Sequence, residues 1–172
     1  MINAIQPVLS QILSDHPPNS VLSIGREVGA ALKTFVSRHP HRRVLQIDLA
    51  GKHVSAVLEL LDCIGIFDFG IAANTIEFLE KRVAIHVLAR LRDLHTKKLL
   101  IVAPIGEQWK NHCSYWEETD LVALGFIVKA KIMVEQKPVH IYTFDIASYK
   151  TTPDWLNNKY WANPELWDKY WW

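Results

Sequence analysis

The stretch Phe126-Ile127-Val128-Lys129-Ala130-Lys131-Ile132-Met133-Val134, then Glu135-Gln136-Lys137-Pro138, then Val139-His140-Ile141-Tyr142-Thr143-Phe144-Asp145-Ile146-Ala147 decides how this chain is read. Residues 126–134 and 139–147 both have strand character, and only four residues lie between them. A parallel crossover needs a dozen or more residues, so these two runs predict an antiparallel hairpin.

Upstream of the hairpin the pattern changes, with strands and helices alternating. A short helix is expected near residues 117–124. Before it, Lys98-Leu99-Leu100-Ile101-Val102-Ala103-Pro104 has the unbroken apolar character of a parallel strand buried on both faces. An amphipathic helix precedes that strand, with Val83, Val87, Leu88, Leu91 and Leu94 on one face and Glu80, Arg82, Arg90 and Asp93 mostly off it. Residues 67–73 read as a strand despite Gly70, and residues 53–64 are helical in spacing at Val54, Val57, Leu58 and Leu61. The first half opens with a helix (Ile5, Val8, Leu9, Ile12, Leu13) that ends at Pro17-Pro18. There follow Val21-Leu22-Ser23-Ile24-Gly25, a helix marked by Val28, Ala31, Leu32, Phe35 and Val36, and Val44-Leu45-Gln46-Ile47-Asp48-Leu49. Strand, glycine, helix, strand, acid is the order of a βαβ unit.

Composition agrees with one α/β domain. The 172 residues are 49% hydrophobic with a net charge of +1, so no global field draws the chain to nucleic acid or acidic lipid. No apolar run approaches the roughly 20 residues needed to span a bilayer, and no signal peptide is legible. Cytoplasmic location is the expectation. Cys63 and Cys113 are far apart, and the plain reading is a buried Cys63 and a free Cys113. The eight histidines lack the spacing of a metal site. The basic run Arg38-His39-Pro40-His41-Arg42-Arg43 and the pair Lys97-Lys98 flank strand starts, and solvated loops are preferred over a nucleic-acid surface.

An open parallel sheet ending in a reversed hairpin resembles the class I S-adenosylmethionine-dependent methyltransferase superfamily, over residues 20–147. Val21-Leu22-Ser23-Ile24-Gly25-Arg26-Glu27-Val28-Gly29 is similar to its glycine-rich first motif. Asp48, 19 residues after Gly29, falls where its acid binds the ribose hydroxyls. Phe67-Asp68 through Ile71-Ala72-Ala73-Asn74-Thr75-Ile76-Glu77-Phe78-Leu79 resembles its fourth strand and the turn behind it. The resemblance implies a Rossmann-like fold with S-adenosylmethionine as cofactor, held by Gly25, Gly29, Asp48, Ala73 and Asn74. Three departures stand out. Ser23 replaces the motif's acid and Glu27 its middle glycine. Only 20 positions separate Asp48 from Asp68, which implies that the third strand is absent, and with it the acid that flanks the adenine. Asp62 is the one residue that could replace that acid.

The physical logic holds without the name. Ligands of open α/β sheets bind beyond the strand carboxyl ends where strand order reverses. A glycine there admits close backbone approach, and a carboxylate accepts both ribose hydroxyl protons. Gly25 and Gly29 have a second reading as a tight turn without ligand, and Asp48 as a solvated strand end. Asn74 resembles an asparagine of methyltransferases that act on amino groups. Because Thr-Ile follows it instead of prolines, turn formation or helix capping by Asn74 or Thr75 is the preferred reading.

Five of the seven tryptophans lie in residues 150–172, an extension to the α/β domain of residues 1–149. This ending is similar to that of a group of small uncharacterised bacterial proteins. Trp155, Trp161 and Trp167 are expected to fold back onto the domain, and the alternative is a protein-docking or self-association surface. Two functions therefore stay open: a methyltransferase of unknown acceptor, and a non-catalytic interaction module on the same fold. A dehydrogenase-like NAD-binding domain is a third, disfavoured by the hairpin.

Overall fold

The computed structural model describes residues 2–25, 30–49, 54–149, 158–160, 163–166 and 169. Six strands form one sheet: β1 (Ser20–Ile24), β2 (Arg43–Ile47), β3 (Phe67–Ala73), β4 (Thr96–Pro104), β5 (Ile127–Val134) and β6 (Lys137–Asp145), in the order β2-β1-β3-β4-β6-β5. The four strands from β2 to β4 are parallel, and β6 runs antiparallel to both β4 and β5. This is the α/β class expected, with the reversed hairpin at one side. Between β2 and β3 the described residues hold one helix and no strand, so β2 forms a border of the sheet.

Helices cover both faces. α1 (Ile2–Asp15) and α2 (Ala30–Arg38) lie on one, where Ile5, Leu9, Leu32 and Phe35 pack against Val21, Phe69, Ile71, Leu100 and Val102. α3 (Val54–Asp62), α4 (Lys81–Arg90) and α5 (Glu118–Ala123) lie on the other, against Leu22, Ile24, Leu99, Ile101 and Tyr142. Neighbouring residues of one strand thus feed opposite cores, which is why β1 and β4 read as continuous apolar runs. Among the described residues no helix is long and apolar enough to cross a membrane.

Several expectations shift in detail. The hairpin loop is two residues, not four, because Lys137 and Pro138 already pair with Val134 and Met133. Glu135 and Gln136 take φ of 50° and 62°, the left-handed pair that matches strand twist in a two-residue turn. Leu94 is 57% exposed although it continues the α4 stripe. From Leu91 to His95 the helix widens into a π turn, which rotates Leu94 outward and buries His95. Val36 is likewise exposed at the end of α2. Cys63 is exposed, not buried, because it lies in the turn just past α3. Gly70 strengthens its strand: a Cβ there would sit 2.5 Å from Thr96 Cγ2 and 2.9 Å from Leu99 Cδ1, so only glycine allows this approach.

The basic residues at the strand starts serve the fold. Arg42 donates to the carbonyls of Pro17 and Pro18, and the Arg43 guanidinium lies 4.2 Å over the Phe67 ring. Lys97 pairs with Asp68 at 2.8 Å and Lys98 with Asp145 at 3.0 Å.

Candidate functional site

Strand order reverses between β1 and β3, so the crevice of this sheet opens beyond the carboxyl ends of those strands. Gly25 stands at its centre. Its N–H donates to the Ile47 carbonyl at 2.9 Å, and its φ is +139°. A Cβ at this position would lie 1.9 Å from the Ala73 carbonyl oxygen. The fold alone therefore demands glycine here. Asp48, exposed, follows Ile47 directly, and Asn74 follows Ala73 at φ +52°, half-buried. The structure thus brings Gly25, Asp48, Ala73 and Asn74 to one edge. Gly29, with Arg26, Glu27 and Val28, lies outside the described residues.

Among the described residues, two acids expected from the resemblance are missing from that edge. Ser23 is 5% exposed inside β1, between Gln46 and Ile71, and brings no carboxylate. Asp62 closes α3, which leads to the start of β3, and its carboxylate pairs with Arg90 at 2.6 Å. It sits at the opposite end of the sheet and replaces nothing.

Beneath the edge is a buried polar support that the sequence reading missed. Thr75 Oγ1 lies 2.8 Å from the Ile24 carbonyl and 3.0 Å from that of Ala73, joining the ends of β1 and β3. This hydroxyl makes no cap bond to the short helical turn Ile76–Phe78 that follows. Glu77, 1% exposed, accepts the Thr75 N–H at 3.0 Å, and burial pushes its carboxyl up to about 7. Its own carbonyl accepts from the Cys113 N–H at 2.8 Å, and Ser114 Oγ donates to the Ile76 carbonyl at 2.9 Å. The buried Trp116 indole donates to Ser114 Oγ at 3.0 Å. The loop after β4 is thereby fastened to the turn after β3. An acid inside the apolar run Ile76-Glu77-Phe78-Leu79 was the available signal.

On that loop, the His112 and Trp109 rings stack at 5.6 Å and 9°, and Phe78 meets His112 edge-on at 5.5 Å. Lys137 Nζ lies 5.1 Å from the Trp109 ring centre. Burial, and then the Lys137 charge, lower the His112 pKa from its ordinary value. Two cavities elsewhere, one between α1 and α2 and one beside Asp68 and Lys98, lie by the strand starts. Neither is lined by Gly25, Asp48, Ala73 or Asn74.

A family model matches residues 3–172, and it describes a family of unknown function. No curated protein matches the chain in sequence. Solved structures match in fold. The magnesium protoporphyrin IX methyltransferase of Synechocystis, with bound SAM, superposes with a TM-score of 0.55 at 14% identity, over 83% of this chain and 77% of that one. The 1,6-didemethyltoxoflavin-N1-methyltransferase of Burkholderia thailandensis, with bound S-adenosylhomocysteine, gives 0.53 at 18% identity, over 83% and 79%. An O-methyltransferase family protein from Burkholderia thailandensis gives 0.54 at 14% identity over 84% of this chain, which spans only 57% of that protein's length. At these identities the likeness is one of fold: this is a methyltransferase-like sheet.

Proposed function

The chain belongs to that family of unknown function, DUF6231, and on this premise we propose that its carboxyl-edge crevice binds the adenosyl ligand of methyl transfer. One observation carries the reading: Gly25, Asp48, Ala73 and Asn74 converge at the strand-order reversal of a methyltransferase-like sheet. Asp48 would accept the ribose hydroxyls. The backbone at Gly25 and the Ala73–Asn74 turn would face the amino-acid end. S-adenosylmethionine, when bound, supplies an electrophilic methyl group. The chain's own part is to hold donor and acceptor in line and keep water out.

Isothermal titration of the full-length protein with S-adenosylmethionine and S-adenosylhomocysteine tests this. Asp48→Ala is expected to weaken binding by about 1.5–3 kcal/mol, the range for hydrogen bonds to a charged group. Absence of heat and of thermal shift at millimolar ligand overturns it. A second reading, a non-catalytic interaction module, is favoured by Ser23, whose buried place in β1 leaves the first motif without its acid. Glu27 stands in that motif too, and a gain of binding in Glu27→Gly would identify it as an obstruction.

A further inference from the structure

The cluster beyond β4 is not used by the adenosyl reading. His112 is held by two rings, Trp109 of the loop itself and Phe78 of the turn after β3, and Trp109 in turn meets Lys137 at the start of β6. Each contact is anchored in turn. Trp109 Nε1 donates to the Ile105 carbonyl at 3.1 Å, and the Ile105 N–H to the carbonyl of Pro138, the neighbour of Lys137, at 3.0 Å. The Cys113 N–H bonds the Glu77 carbonyl, one residue before Phe78.

The His112 ring plane is set by aromatic contacts, yet neither ring nitrogen is hydrogen-bonded and no carboxylate pairs with it among the described residues. The ring is half-buried, on the loop that follows the carboxyl end of β4. Nearby Lys137 makes no ion pair among the described residues. A neutral imidazole is a proton acceptor near pH 7, and an ammonium resting on an aromatic ring without a carboxylate partner can still attract an anion. Their aromatic neighbours favour a flat molecule.

We propose that His112 takes the proton of a planar hydroxy-acid acceptor whose carboxylate is drawn by Lys137. This rests on the adenosyl reading above. The acceptor oxygen bonds the methyl carbon as the donor's carbon–sulfur bond breaks, its electron pair staying on sulfur. The hydroxyl proton passes to a ring nitrogen of His112. Lowering of the His112 pKa by burial and by Lys137 keeps the ring ready to receive it.

The test uses full-length protein saturated with S-adenosylhomocysteine and titrated with salicylate, reading the His112 ring resonances by NMR and the affinity by calorimetry. Methyl transfer from S-adenosylmethionine is then followed for a set of hydroxybenzoates. Expected results are a shift of the His112 resonances and at least fivefold weaker salicylate binding in Lys137→Gln. His112→Asn should keep salicylate affinity within about threefold and lose transfer at every pH from 6 to 9. Each variant should bind S-adenosylhomocysteine as the wild type does, which also reports an intact fold. If S-adenosylhomocysteine binds but salicylate leaves His112 unmoved, or His112→Asn transfers normally, this proposal is overturned and the adenosyl reading survives. If S-adenosylhomocysteine does not bind, both fall.

Discussion

A Cβ on Gly25 would stand 1.9 Å from the carbonyl oxygen of Ala73. The ends of β1 and β3 therefore approach as only glycine permits, and the +139° φ adds a conformation that side chains resist. Gly25→Ala must relieve both. It is expected to cost about 3 kcal/mol or more, from overpacking and backbone strain together. Urea unfolding without any ligand measures this. A variant within 0.5 kcal/mol of wild type, roughly the scatter of a neutral surface change, refutes the geometry.

Glu77 should make stability depend on pH. Its ordinary value is 4.5, and burial raises it to about 7 in the folded chain. Below pH 4.5 both states carry the proton and no penalty exists. As pH rises toward 7 the unfolded chain ionises while the folded one still holds its proton, so stability declines and then levels off above about 7. The gap corresponds to about 3 kcal/mol. Glu77→Gln keeps an acceptor for the Thr75 N–H and removes the decline. At pH 8 it should be more stable than wild type, and at pH 4 nearly equal. Unfolding midpoints across pH 4–8 decide.

The hairpin turn offers a gain. Glu135 and Gln136 both hold left-handed backbone, which costs a residue with a Cβ roughly 1–2 kcal/mol. Replacing the pair with Asn-Gly should raise stability by about 1 kcal/mol or more without altering the β5–β6 register. A lower melting temperature in the double variant would count against the turn as described.

The family match extends through residue 172, and Trp155, Trp161 and Trp167 lie outside the described residues. Truncation after Tyr149 is expected to destabilise the domain by several kcal/mol, on the reading that Trp155 and Trp161 pack against it at about 1.5–3 kcal/mol each. Trp171 and Trp172 are the candidate partner contacts. An unchanged melting curve with loss of a dimer by light scattering would assign the tail to docking instead. No change in either measurement would defeat both.

What could be read in advance followed the range of the interaction. The runs at residues 21–24 and 98–104 announce buried parallel strands because each residue there meets a helix layer. The hairpin was legible because chain length alone forbids a crossover. Gly25 was read both as a ligand-facing residue and as a tight turn, and the contact that demands glycine there is with Ala73, 48 residues away, which no local pattern encodes. Gly70 misled for the same reason, its partners being Thr96 and Leu99 on β4. Leu94 was misplaced because a 3.6-residue period cannot foresee a π turn. Glu77 and His112 escaped notice since each becomes distinctive only when the turn after β3 and the loop after β4 are joined.

The border position of β2 has a consequence for the molecule's neighbours in a crowded solution. A sheet that ends without the usual flanking strand presents unpaired backbone groups, an invitation to other strands. Here the invitation is brief, for β2 is five residues long and opens with the exposed Arg43. The opposite border, β5, is eight residues long and turns Lys129 and Lys131 to solvent between its apolar positions. One side is guarded by brevity and the other by charge. Losing a strand is thus tolerable in this fold, while neutralising the two lysines should favour association of one molecule's edge with another's.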